Sequence, residues 1–300
     1  MSKDTPDPLY DVKTAFYVGN YQQCIAEAQS LKAADAPTAV RRDVYLYRAY
    51  LAQRNYAVVL DEVTRSSAAE VQAVRQLAQY LHSPSKRNSV LEDIEGQLKA
   101  GVDTTSDTMF IVAAAIYAHR KDYGTALKTL HQTQSLECSA LTVQYLLAID
   151  CVSAAVAEVK RMMDEDEYFV LTQFAQAWVH MSVGGAKIQD AFYIFQEAID
   201  RHGTTAYLLS NQAACKIHEG QYEDATGLLQ DALEKDSNSP EVLVNLIVVS
   251  SKMGKPVEVT RRYISQMKDT HPDHYYTVEY LEKDDAFDRL ANNFSAKVST

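Results

Sequence analysis

Gly220–Leu233 reads GQYEDATGLLQDAL, and its spacing decides the fold. A turn-forming Gly is followed two residues later by an aromatic. Ala225, Leu229 and Ala232 then recur at helical intervals on one face. Small residues on a buried helix face mean close approach. Packed helix axes lie roughly 8–10 Å apart, and the short end of that range requires Ala or Gly at the contact. The same demand appears elsewhere. Stepping back 34 residues from Ala225 gives Ala191, followed by Phe195 and Ala198, and stepping forward 34 gives Val259, Tyr263 and Gln266. The turn repeats as well, with Gly220 and Gly254 34 apart.

Looser copies run toward the N-terminus. Gly19-Asn20-Tyr21 precedes Cys24 and Ala28, Arg54-Asn55-Tyr56 precedes Val59 and Val63, and Lys121-Asp122-Tyr123 precedes Ala126 and Leu130. Ala155 and Val159 mark another copy. A further pair, about Ala68 to Leu81 and Ser85 to Ala100, fits by length more than by motif. A 34-residue helix–turn–helix period has the length of the tetratricopeptide repeat. The predicted fold is all-α: a right-handed α-solenoid of tetratricopeptide-like helix pairs, one domain over residues 1–300. About eight pairs span roughly residues 9–268, and 269–300 form a C-terminal capping helix and tail. The tail carries Tyr275, Val278, Leu281, Phe287, Leu290 and Phe294 at near-helical spacing. A cap is expected because a solenoid end otherwise leaves its apolar face in water. Ala191, Ala198, Ala213, Ala225 and Ala232 are assigned to repeat packing.

Composition agrees with a helical chain. The 300 residues include only 10 Gly and 7 Pro, are 47% hydrophobic and 23% charged, and carry a formal net charge of -11. That charge and the lack of a dense Lys/Arg patch argue against nucleic acid and against a polybasic membrane surface. No apolar run approaches the ~20 residues of a membrane-spanning helix, so no direct membrane insertion is expected. MSKDTPDPLY lacks an apolar signal region, which makes the cytosol the expected compartment. Cys24, Cys138, Cys151 and Cys215 have no framework spacing and read as small buried hydrophobes. In such a compartment the sequon Asn293-Phe294-Ser295 goes unused.

Chemistry-bearing motifs are weak. In His271-Pro272-Asp273-His274 the Pro breaks the helix that would aim both imidazoles at one metal, so a surface loop is expected. Cys215 and His218 lack a second ligand pair. Gly184-Gly185-Ala186-Lys187 is too short for a phosphate loop and falls at a repeat turn. Asp164-Glu165-Asp166-Glu167 reads as a solvated linker whose charges favour the N-terminus of the next helix. No enzyme activity, metal or cofactor is expected.

A partner surface is better supported. In tetratricopeptide register the first helix of each pair lines an inner groove. Pro240–Met253, PEVLVNLIVVSSKM, and Met109–Ala118, MFIVAAAIYA, are apolar nearly all round. The groove positions are Ile111, Ala115, Leu147, Tyr207, Ile217, Val244 and Val248. Such a lining fits a constant apolar occupant, a partner segment, the alternative being cover by the chain's own C-terminal tail or by tight coiling of the array. An adaptor for acidic peptide tails would need groove cations, and Lys13 and Arg48 are the few candidates.

Specific stretches carry a resemblance beyond the generic repeat. They are FYVGNYQQCI (Phe16–Ile25), RDVYLYRAYLAQRNY (Arg42–Tyr56), LTQFAQAWVHMSVGGAKIQDAFYIFQEA (Leu171–Ala198), Asn211–Pro256, and DDAFDRL (Asp284–Leu290). With them the chain resembles the coatomer epsilon-subunit family of COPI vesicle coats. The resemblance implies a non-enzymatic α-solenoid within a heteromeric coat. It also implies binding to the C-terminal region of the alpha subunit of coatomer, and service in retrograde Golgi-to-endoplasmic-reticulum and intra-Golgi transport. Pro256 and Gln266 depart from the tetratricopeptide pattern and put the second helix of that pair in question.

Overall fold

The structure is a computed structural model that describes residues 7–101 and 106–294. Among the described residues there are seventeen α-helices and no strand. The helices gather into two compact units, Met1–His202 and Gly203–Thr300.

The N-terminal unit holds six helix pairs. They are α1 (Tyr10–Tyr17) with α2 (Tyr21–Ser30), α3 (Ala36–Ala52) with α4 (Tyr56–Glu62), and α5 (Ala69–His82) with α6 (Arg87–Ala100). Then come α7 (Thr108–His119) with α8 (Tyr123–Leu130), α9 (Leu136–Ala148) with α10 (Val152–Asp166), and α11 (Val170–Val183) with α12 (Lys187–His202). The C-terminal unit holds α13 (Ala206–His218) with α14 (Tyr222–Lys235), α15 (Pro240–Lys252) with α16 (Val257–Thr270), and a final helix, α17 (Tyr275–Phe294). In each unit first helices stack on first helices, as in α1 on α3, α5 on α7, and α13 on α15. That stacking makes an α-solenoid.

One turn closes most pairs. Its central residue adopts a left-handed φ: +79° at Gly19, +76° at Gly220 and +64° at Gly254. The next amide reaches back to the first helix, Asn20 N–H to the Ala15 carbonyl and Gln221 N–H to the Lys216 carbonyl. These bonds satisfy carbonyls that a helix end would otherwise leave unpaired. Arg54, Lys121 and Asp150 hold the same conformation, at φ 62°, 62° and 59°, and their following amides make the same bond. Side chains tolerate this region poorly, so these three turns are held by the helices they join. Gly184 and Gly185 at the end of α11 also have positive φ, consistent with a turn rather than a phosphate loop.

The small residues of the stripe lie in the interior. Ala191, Ala213, Ala225 and Ala232 are fully buried and Ala198 nearly so. The departure at Pro256 does not abolish the last pair. Pro256 caps α16, and Gln266, where a small residue would sit, reaches over to the Ser237 carbonyl at 3.0 Å. The α5–α6 pair borders a recess. Only Val90 and Ile94 of α6 are buried, and a cavity of about 730 Å³ remains, lined by Arg75, Gln76, Gln79, Asp93 and Gln97.

Four sequence expectations change. Cys151 is exposed at the cap of α10, whereas the other three cysteines are buried. Burial pushes the thiols of Cys24, Cys138 and Cys215 up to about 12, so they stay protonated. His271 is not on the surface: it is 1% exposed, with Nε2 2.7 Å from the Asn238 carbonyl. The acidic run lies mostly in the last turn of α10, where Asp166 accepts the amides of Tyr168 and Phe169. Finally, α17 packs through its first turns only. Ser295 of the sequon lies outside the described residues.

Candidate partner-binding surfaces

Within the N-terminal unit, first helices far apart in sequence meet. α1 and α3 reach α9 and α11 through a buried polar cluster. Arg48 of α3 forms an ion pair with Glu137 at the start of α9, with side chains 14% and 10% exposed. Tyr17 of α1 donates to Glu137 Oε2 at 2.9 Å, and the Tyr45 hydroxyl lies 3.2 Å from the same oxygen. The two hydroxyls are 2.6 Å apart. Each has one proton, so one donates to the carboxylate while the other bridges hydroxyl and carboxylate.

Aromatic rings complete the clasp. The Arg48 guanidinium stands 4.7 Å from the Phe16 ring centroid and 5.3 Å from that of Tyr45. Tyr17 meets Phe169, just before α11, edge-on at 5.8 Å. Burial alone would raise the Glu137 carboxyl, but Arg48 and the donated hydrogen bonds hold it below the ordinary carboxylate range. Burial, followed by the Glu137 charge, pushes both phenols well up, so they remain protonated donors. The cluster is therefore satisfied internally. Among the described residues no group of three or more His, Cys, Asp or Glu could hold a metal.

Both candidate cations for an acidic-tail adaptor have carboxylate partners within the chain. Arg48 is spent on Glu137, and Lys13 pairs with Asp7 at 2.7 Å. Of the predicted groove positions in this unit, Ile111 is 6% exposed and packs in the core beside Val112 and Ile116. Ala115 and Leu147 are half-buried. In the C-terminal unit Val244 is 9% exposed and packs with Leu243, Ile247 and Met267. Tyr207, Ile217 and Val248 are half-buried.

α17 carries an exposed apolar stripe. Tyr276 and Tyr280 stack, Tyr276 packs on the α15–α16 cluster, and Lys268 of α16 lies 4.8 Å from the Tyr280 ring. The same helix face continues through Phe287, Leu290 and Phe294, which are 69%, 68% and 88% exposed. These follow Tyr276 and Tyr280 at steps of three, four and seven, so one stripe is packed at its start and bare at its end. Asp284 and Asp288 flank it. The sequence showed the stripe but suggested that a cap would bury it. A helix end that protrudes beyond the last pair has nothing of its own unit to pack against. No helix among the described residues is long and apolar enough to cross a membrane.

Comparisons with known proteins place this architecture. The chain resembles solved tetratricopeptide structures at the level of fold alone. A chain of the APC/C hetero-tetramer Cut9–Hcn1 superposes with a TM-score of 0.60 at 14% identity, covering 90% of this chain and 54% of that one. A tetratricopeptide repeat protein from Parabacteroides merdae gives 0.59 at 10% identity, covering 92% and 96%. Sequence similarity is more specific. The chain is 35% identical over 292 residues to coatomer subunit epsilon-1 of Arabidopsis thaliana, covering 97% of this chain and 98% of that protein. It is 32% identical over 291 residues to coatomer subunit epsilon of Caenorhabditis elegans, covering 97% and 99%. The profile of the coatomer epsilon subunit family matches residues 5–295. This chain belongs to the coatomer epsilon subunit family and is a subunit of the COPI coat.

Proposed function

We propose that the chain acts as a non-enzymatic scaffold that binds and stabilises the C-terminal region of the alpha subunit of coatomer. In that role it would serve retrograde Golgi-to-endoplasmic-reticulum and intra-Golgi transport, as a peripheral component on Golgi membranes and coated vesicles. The observation that carries this reading is the exposed Phe287, Leu290 and Phe294 stripe in a family of coat subunits. Large apolar side chains left in water on one helix face mark an interaction surface, and constant occupancy removes the aggregation liability. Half-buried Tyr207, Ile217 and Val248 in the same unit are further candidates for partner contact. A partner that binds the folded chain and not the unfolded one stabilises it by mass action.

The test is titration calorimetry of the full chain with the purified C-terminal region of the alpha subunit. A one-to-one complex is expected. The pair Phe287→Asp and Leu290→Asp should weaken it at least about tenfold, since each ring or branched chain contributes about 1.5–3 kcal/mol when buried. Circular dichroism should be unchanged. Absence of binding by the unaltered chain overturns the reading.

A further inference from the structure

One stretch of the C-terminal unit runs against the charge of the whole chain. Residues 252–268 cover the end of α15, the turn after it and most of α16. They hold five of the 29 Lys and Arg but one of the 40 Asp and Glu. The cations are Lys252, Lys255, Arg261, Arg262 and Lys268, and the acid is Glu258. The chain carries -11 overall, so this end of the α15–α16 pair is a positive strip on an acidic protein.

The strip is not neutralised from within. Lys252, Arg261 and Arg262 are exposed and Lys255 is half-buried, and none of the four forms an ion pair among the described residues. Lys268 differs, lying 3.8 Å from Asp284 of α17. Arg262 is steadied by its neighbour. Its guanidinium stands 5.0 Å from the Tyr263 ring centroid and donates to the Tyr263 hydroxyl at 3.2 Å. The acids beside the strip leave it charged. Glu258 lies one helical turn before Arg261 and Arg262 and pairs with neither. Thr226 Oγ1 is 3.5 Å from the Met253 sulfur, which seats the first turns of α14, and with them Glu223, beside this turn. Glu223 forms no ion pair among the described residues either. Val257 opens α16 between the cations and is 58% exposed.

These charges select the occupant. Cations held close together repel one another, and a row of carboxylates relieves that repulsion. Residues 1–6 and 295–300 hold one acid, Asp4, against Lys3 and Lys297, and so do not supply such a row. A flat anionic membrane fits less well. It would meet the Glu223 and Asp284 carboxylates together with the strip, and the -11 of the chain behind them. A second copy would set an acidic face on this basic one, a head-to-tail contact that builds rings or open chains.

We propose that the α15–α16 end of the C-terminal unit docks an acidic segment of another protein. Its carboxylates lie along Lys252, Lys255, Arg261 and Arg262, and one apolar side chain covers Val257. Complementary charge of this kind sets encounter rate and register more than final affinity. The proposal does not depend on the alpha-subunit reading, which rests on the α17 stripe.

The experiment is fluorescence anisotropy of the full chain with a labelled nonapeptide of Asp and Glu around a central Leu. The natural chain should bind it at about 50 mM salt and several-fold more weakly at about 200 mM. The double variant Lys252→Glu and Arg261→Glu, both at exposed positions, should bind at least about tenfold more weakly, with unchanged circular dichroism. Arg41→Glu with Arg65→Glu makes the same change in net charge at exposed positions of the other unit, and should alter binding less than about twofold. Several outcomes overturn the proposal: no binding by the natural chain, undiminished binding by the first double variant, or an equal loss in the second. It also fails if a peptide with Lys in place of the acids binds as well. Binding to phosphatidylserine bicelles but not to the peptide would assign the strip to a membrane instead, and a strip-dependent rise in mass with protein concentration would assign it to a second copy.

Discussion

The two units handle their surplus surface in opposite ways. The N-terminal unit turns first helices onto one another and seals the contact with Arg48, Glu137, Tyr17 and Tyr45. The C-terminal unit leaves α17 half-packed, with Phe287, Leu290 and Phe294 in water. The same repeat thus yields a self-satisfied surface in one place and an exposed apolar stripe in another. What differs is whether side chains far apart in sequence meet across the inner face.

The sharpest way to break this contrast is to unbalance the clasp. Arg48→Met leaves a buried carboxylate without its cation and should destabilise the chain by about 3–5 kcal/mol. Urea denaturation checks this, and hydrogen exchange should localise the loss to Met1–His202. The double variant Arg48→Met and Glu137→Leu should recover most of it, because the buried charge is gone. Recovery would show that the clasp specifies the closure more than it strengthens it. A smaller effect is expected in the other unit. Ala225→Leu forces a larger side chain into the α13–α14 contact and should cost about 1–3 kcal/mol, read from the same denaturation curves.

Acid provides a graded test of the same difference. The folded Glu137 carboxyl lies below its unfolded value of about 4.3, so the folded state binds fewer protons there. Its contribution is complete above the unfolded pKa and is lost as pH falls through the folded one. Stability should therefore drop below about pH 4 more steeply in the natural chain than in the Arg48→Met, Glu137→Leu double variant. The smallest effect is favourable. Arg54→Gly and Lys121→Gly relieve left-handed strain in two turns, and each should raise stability by about 0.5–1 kcal/mol, visible as a higher midpoint in thermal denaturation.

Much of the fold was legible because the repeat is local. Ala191, Ala225 and Ala232 announce close packing within one helix pair, and Gly19, Gly220 and Gly254 announce the turn between its helices. The turns at Arg54, Lys121 and Asp150 were less visible, since a positive φ at those residues is imposed by helices rather than by the residue itself. Arg48 and Glu137 stand 89 residues apart, and no period links them. Each alone looks like a surface charge. Arg48 was accordingly read as a groove cation, and only the folded chain brings its carboxylate to it. For α17 the stripe was readable, but whether anything covered it depended on where the last pair ended. His271 followed the same pattern: the Pro beside it signals a loop, yet the loop turns inward onto the Asn238 carbonyl.

The clasp also bears on synthesis. Tyr17 meets a carboxylate 120 residues further along the chain. At translation rates of about 5–20 residues per second, α1 and α3 wait on the order of ten seconds before α9 emerges. During that interval Arg48, Tyr17 and Phe16 present an unfinished, aromatic-rich face on the nascent chain. The clasp therefore cannot close until Glu137 has emerged, and a pause placed before residue 137 would lengthen that interval.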